Sequence, residues 1–180
     1  MPEVLLVRHC EAIGQEPEAP LSPKGERQAS ELAARLAAEP IDYVVASPYL
    51  RAQRTAEPLA ARLGLSVHSD ARLAEHQLAS PPVAEWRAFV ARAFTEPHVR
   101  APGGDAPAAT LARGLAALES VMALDRARAV LVTHGLLMSL LLQSIDNRFG
   151  FEDWSALRSP DVFRLSGRIH RMRFERIDLV

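Results

Sequence analysis

The sequence predicts a three-layer α/β/α fold, a doubly wound and mostly parallel sheet that carries a small helical cap and ends in a C-terminal edge hairpin. Three observations predict it. Apolar runs of strand length alternate with longer segments whose apolar residues recur every three or four positions, as strands alternating with sheet-covering helices do. Two of the runs, residues 4–7 and 129–133, are apolar throughout, the mark of parallel strands buried on both faces. Only the tail, residues 162–179, sets Met172 and Phe174 in alternation with Arg171, Arg173 and Glu175, the period of two expected of an edge strand.

The first run stops at Arg8 and His9, so the opening strand delivers polar side chains at its end. After a polar, proline-dotted loop, Ser22 offers an N-cap with Pro23 at the first helical position. Ala29, Leu32, Ala33 and Leu36 then keep helical spacing, which lays one face on a sheet. Residues 41–46 form the second strand. Ala52, Ala56, Leu59, Ala60 and Leu63 mark a second amphipathic helix, closed by Gly64.

Residues 65–68 make a third strand, after which the pattern loosens through Glu75 and the Pro81-Pro82 pair. Val83, Trp86, Phe89, Val90 and Ala93 restore helical spacing briefly. This stretch belongs to a cap of about residues 70–104, in which Trp86, Phe89 and Phe94 are expected to pack rather than to cage a substrate. Residues 95–107, with three prolines and the Gly103-Gly104 pair, form a loop. Leu111, Leu115, Leu118 and Met122 share a face of a longer helix. His134 and Gly135 end the buried strand 129–133, and residues 136–142 continue as an almost wholly apolar, buried helix. The tail turns at Ser166-Gly167.

At 180 residues the chain has the length of one ordinary domain, so a single core over residues 1–180 is expected. Its 48% hydrophobic and 24% charged residues are those of a globular protein rather than a disordered or fibrous one. No apolar run reaches the ~18 residues of a membrane span, and Met1-Pro2-Glu3 lacks the basic start of a secretory signal, so a cytoplasmic protein without a membrane partner is expected. The lone Cys10 excludes an internal disulfide and a thiolate-rich zinc cluster. A net charge of −1 advertises no nucleic acid partner, and the basic residues of the tail are a solvated strand face. Any anion binding must be local.

Two strands each end in a histidine, as Val7-Arg8-His9 and as Val132-Thr133-His134-Gly135. In an open α/β sheet the carboxyl ends of strands form the ligand crevice, so segments far apart in sequence place two imidazoles side by side. A third segment, Ala46-Ser47-Pro48-Tyr49-Leu50-Arg51, puts Arg51 at a helix start, where amide donors favour an anion. Two arginines, two histidines and a helix N-terminus make a phosphate pocket.

Arg8-His9 followed by Glu11 is similar to the Arg-His-Gly-Glu signature of the histidine phosphatase superfamily. Pro20-Leu21-Ser22-Pro23-Lys24-Gly25 with Gln28-Ala29 is similar to that family's next segment, and the run from Ser47 to Ala56 resembles its Ser-Pro-Leu-x-Arg-Ala-x-x-Thr-Ala. Val132-Thr133-His134-Gly135 matches its second histidine motif. The resemblance implies a phosphohistidine enzyme with His9 as nucleophile, Arg8 and Arg51 as phosphate clamps and His134 as a further donor. Leu73-Ala74-Glu75 resembles the family's Leu-x-Glu and makes Glu75 the general acid, its pKa raised by partial burial, with His76 the next candidate. Gln15 and Gly135 are expected at the substrate. No metal or other cofactor is implied, because arginine forks and preorganised donors stabilise phosphoryl transfer.

Three positions depart from the family pattern: Cys10 replaces a glycine, Ala12 a phosphate-binding Thr or Ser, and Gln15 an Asn. These bear on affinity and specificity rather than on the reaction. A cysteine-phosphatase loop needs arginine six positions after the cysteine, where this chain has Glu16. Zinc on His9, Cys10 and Glu11 would need neighbouring strand residues to converge, and they point apart. Hydrolysis of a small phosphorylated metabolite or a phosphoprotein is therefore expected, with mutase chemistry second because the family's mutases carry a longer segment over the site. A non-catalytic phosphate-recognition domain is a third reading.

Overall fold

The computed structural model describes residues 3–79, 84–124 and 126–178. Its strands are β1 (Glu3–Arg8), β2 (Tyr43–Ala46), β3 (Val67–Ser69), β4 (Arg128–Thr133), β5 (Asp161–Ser166) and β6 (Arg173–Arg176). Its helices are α1 (Pro23–Leu36), α2 (Leu50–Leu63), α3 (Trp86–Ala93), α4 (Pro107–Met122), α5 (Gly135–Ile145) and α6 (Phe151–Ser155). One six-stranded sheet runs in the order β3-β2-β4-β1-β5-β6. The first four strands in that order are parallel, and β5 and β6 add an antiparallel edge hairpin. Among the described residues no helix is long and apolar enough to cross a membrane.

Alternation along β1 explains the layers. Val4 and Leu6 face one side with Leu131, Phe163 and Leu165, under α4 and α5. Leu5 and Val7 face the other with Val44, Val130 and Val132, under α1 and α2. A strand buried on both faces has to be apolar at every position, which is why the run 4–7 carries no polar residue. Helix starts and stops follow local chemistry. The Ser22 side chain accepts from the Gly25 N–H with Pro23 in the first turn, and Gly64 closes α2 with φ 67°, a left-handed conformation that glycine adopts without a Cβ penalty.

Several boundaries differ from the sequence expectation. β2 starts at Tyr43, since Ile41 is buried but unpaired in the sheet, and β3 is shifted to Val67–Ser69. The buried face of α4 is Thr110, Gly114, Ala117, Leu118 and Val121, whereas Leu111, Leu115 and Met122 are half-buried at its margin. The reason is close helix packing: a Cβ at Gly114 would lie 3.3 Å from Leu137 and Leu141, so small residues face α5 and large ones flank the contact. α6 is too short and polar to show periodicity. The hairpin turn runs beyond Ser166-Gly167 through a 3₁₀ turn, Ile169–Arg171. Pro81, Pro82, Val83 and Leu179 lie outside the described residues. In the cap, Val90 and Ala93 pack against Leu136 and Leu140 with Phe94 at the margin, while Trp86 is exposed and sets its ring edge-on to Trp154.

Candidate active site

Strand register brings the expected residues together. Arg8 stands opposite Thr133 across the β1–β4 pair, and the His9 N–H donates to the Thr133 carbonyl at 3.0 Å. His9 and His134 therefore leave the sheet at the same level, with ring centroids 5.1 Å apart and set edge to face. Ala46 stands opposite Val132, so the next residue, Ser47, lies beside the same strand end. This is the carboxyl-end crevice that a doubly wound sheet provides.

His9 is held as a nucleophile would be. Its Nδ1 lies 2.7 Å from the Cys10 carbonyl, a partner that can only accept, so Nδ1 carries the proton and Nε2 keeps its lone pair. Burial lowers the imidazole pKa to about 3, the nearby guanidinium groups of Arg51 and Arg8 push the same way, and the Cys10 carbonyl opposes them. At neutral pH nearly every molecule therefore presents an unprotonated Nε2. Arg51 Nε donates to that nitrogen at 3.1 Å.

Arg8 and Arg51 bond only neutral acceptors among the described residues. Arg8 Nη1 donates to the carbonyls of Leu157 and Arg158, and Arg51 Nη1 to those of Gln15 and Glu16. Asp161, the buried carboxylate opposite Arg8 in the sheet, is engaged by Arg176. Among the described residues neither guanidinium makes a direct ion pair, and the Glu75 carboxylate acts on both only through space. Arg8 Nε is moreover buried without a partner among the described residues, and so is His134 Nδ1. Gly135 lies against this arginine, where a Cβ would come 3.3 Å from Arg8 Nε. Gln15 contributes its backbone carbonyl, and its side chain is exposed.

Arg51 itself is buried, sits under the Tyr49 ring and anchors the 15–16 loop. Arg51→Ala is expected to weaken vanadate inhibition on the order of 10²-fold, the typical effect of one lost charged donor in such a site. The inhibition constant, read together with a melting curve that confirms folding, checks this; an unchanged constant would remove Arg51 from the pocket.

Glu75 is half-buried at the N-terminus of α5. Its Oε1 accepts from the His76 and Leu137 N–H groups and its Oε2 from Leu136 N–H. Its polar surroundings are thus backbone donors. Oε2, with one N–H partner against two for Oε1, is the oxygen with the freer lone pair. Its segment is pinned from two sides. Thr133 Oγ1 donates to the Leu73 carbonyl at 2.7 Å, and Arg113 of α4 donates to the carbonyls of Arg72, Ala74 and Glu75. His76 is buried, its Nδ1 lies 2.8 Å from Thr110 Oγ1, and burial lowers its pKa. It is badly placed to deliver a proton.

Cys10 packs with Leu21 and Ala29, and burial pushes its thiol up to about 12, away from nucleophilic use. Its N–H donates to Thr55 Oγ1, which donates in turn to the Arg51 carbonyl, so Thr55 ties the His9 turn to the Arg51 helix. Thr55 and Ser47 lie inside a segment the sequence singles out. Arg113 carries no such signal, since nothing local distinguishes it from a solvated helix residue.

The family model of the histidine phosphatase superfamily (branch 1) matches residues 4–162. A "Probable phosphoglycerate mutase GpmB" of Yersinia enterocolitica is 32% identical over 164 residues, covering 81% of this chain and 75% of the relative. The structure of a mycobacterial glucosyl-3-phosphoglycerate phosphatase is similar with a TM-score of 0.74 and 27% identity over 97% of this chain and 96% of that one. Bacillus stearothermophilus YhfR shares the fold at a TM-score of 0.75 and 22% identity, over 96% and 95% of the two chains.

Proposed function

Because this chain belongs to branch 1 of the histidine phosphatase superfamily, an enzyme family of phosphoryl transfer and hydrolysis, we propose that it is a metal-independent phosphatase acting on phosphomonoesters through a phosphohistidine on His9. The observation that supports this most is the unprotonated Nε2 of His9 in contact with Arg51 Nε and with the His134 ring 5.1 Å away, while Arg8 Nε and His134 Nδ1 are buried without a partner among the described residues. Nε2 attacks phosphorus as the ester P–O bond breaks, and Glu75 Oε2 gives its proton to the departing oxygen. The ionised carboxylate then takes a proton from water, whose oxygen attacks phosphorus; the N–P bond breaks and phosphate leaves. Arg8, Arg51 and His134 hold the equatorial oxygens throughout.

Phosphoglycerate mutation is the second reading, favoured by the name of the Yersinia relative. The cap speaks for hydrolysis: its described helix has eight residues, little to keep water from a phosphohistidine. Substrates of the phosphoglycerate type, an ester near a carboxylate, suit a site whose two arginines make no direct ion pair among the described residues and accord with the mycobacterial phosphatase's name. The test is a panel of phosphomonoesters, with nitrophenyl phosphate and both monophosphoglycerates, assayed in chelator. Hydrolysis that persists is expected. Activity abolished by chelator and restored by zinc or magnesium contradicts the proposal, and interconversion of the monophosphoglycerates faster than phosphate release would favour the mutase.

A further inference from the structure

We propose that Ser47 is a positioning residue that fixes the tautomer of His134, so that its ring presents an Nδ1–H donor to the transferring phosphoryl group. The inference rests on the reading of His9 as phosphoryl acceptor. Ser47 is fully buried directly after β2, and its N–H donates to the Val132 carbonyl at 2.9 Å, which locks it beside the strand that ends at His134. Its Oγ has two neighbours: the Tyr49 N–H donates to it at 3.2 Å, and His134 Nε2 lies 2.7 Å away.

Proton counting decides the arrangement. A hydroxyl has one proton to donate, and a neutral imidazole carries one N–H. Were that proton on Nε2, Ser47 Oγ would accept from both neighbours and its own O–H would have no acceptor among the described residues, an unfavourable state in a fully buried place. With the O–H donated to Nε2, the serine is satisfied at both atoms and the ring proton must be on Nδ1. Nδ1 is the atom left buried and unpartnered among the described residues, so this N–H is completed by an incoming oxygen.

Burial, with positive charge around it, keeps the ring in that neutral form. His134 is wholly buried, which lowers its pKa well below the ordinary histidine value, and the guanidinium groups of Arg51, Arg113 and Arg8 push the same way. Tyr49 packs edge-on against the ring at 4.9 Å and limits its rotation. Both histidines are thus Nδ1–H tautomers that turn different edges inward: His9 offers the Nε2 lone pair to phosphorus and His134 offers N–H to oxygen. Ser47 makes the second of these a donor.

The tautomer is read directly by two-bond 15N–1H correlation spectra of histidine-labelled protein, with His134 assigned from its loss in a His134→Gln variant. In the wild type, His134 Nδ1 is expected at the shift of a protonated ring nitrogen and Nε2 at that of an unprotonated one. A protonated Nε2 overturns the proposal, whether or not the protein hydrolyses any phosphoester. Ser47→Ala is expected to mix the two tautomers and to lower kcat on the order of 10²-fold, the loss typical of one oxyanion donor, with KM changed less. Unchanged spectrum and kcat in that variant would also overturn it. A wild type with the expected tautomer but no turnover supports the Ser47 assignment and counts against the phosphatase reading alone.

Discussion

His9→Ala is expected to abolish turnover of every phosphomonoester while leaving the fold and phosphate binding in place. The His9 side chain makes two hydrogen bonds, to the Cys10 carbonyl and from Arg51 Nε, and both partners survive truncation. Arg51 stays anchored by the carbonyls of Gln15 and Glu16, and Arg8 by those of Leu157 and Arg158. Among the described residues no other nucleophile stands ready, since the Cys10 thiol is buried in an apolar cluster and the His134 ring is held by Ser47. The expected fall in kcat is on the order of 10⁴–10⁶, as when a covalent nucleophile is lost. Steady-state kinetics with a phosphate-binding titration checks both halves. Residual turnover within tenfold of wild type would assign the nucleophile elsewhere.

Glu75→Gln should separate substrates by leaving group. General acids contribute on the order of 10²–10⁴ where the leaving oxygen needs a proton, so an alkyl phosphate is expected to lose that much in kcat/KM, which reports phosphoenzyme formation and not the shared hydrolysis step, while a nitrophenyl ester loses less than about tenfold. The glutamine also turns an amide N–H₂ toward backbone donors that a carboxylate accepts, those of His76, Leu136 and Leu137. Damage to the fold from that clash lowers both rates together, which makes the ratio between substrates the informative quantity. Equal losses would move the acid role away from Glu75. His76, tied to Thr110 behind the pocket, would then need a rearrangement to take it.

The sequence makes legible what burial dictates. Runs that must be apolar on both faces marked β1 and β4, their abrupt ends marked Arg8, His9 and His134, and Ser22 and Gly64 announced helix boundaries because capping is local chemistry. What remained hidden depends on how closely elements approach. The packing face of α4 turns on Gly114 meeting Leu137 and Leu141, which the leucine stripe of that helix does not reveal. Arg113 acts through three carbonyls about forty residues away in the chain, and Gln15 meets Arg51 through its backbone rather than its amide. Side-chain periodicity carries no record of such contacts. Ser47 is intermediate: its segment is conspicuous, but its link to His134 spans 87 positions and needs the β2–β4 register to exist.

The central claim, a covalent phosphoryl group on Nε2 of His9, is tested most directly by rapid-quench trapping. Wild-type protein turning over a 32P-labelled phosphomonoester is quenched in base within the first turnovers, and the labelled residue is mapped by peptide analysis. The account predicts label on His9 that is stable to base and lost in acid, and none in His9→Ala. Label on any other residue, or continuing turnover with no phosphoenzyme at any quench time, would contradict it.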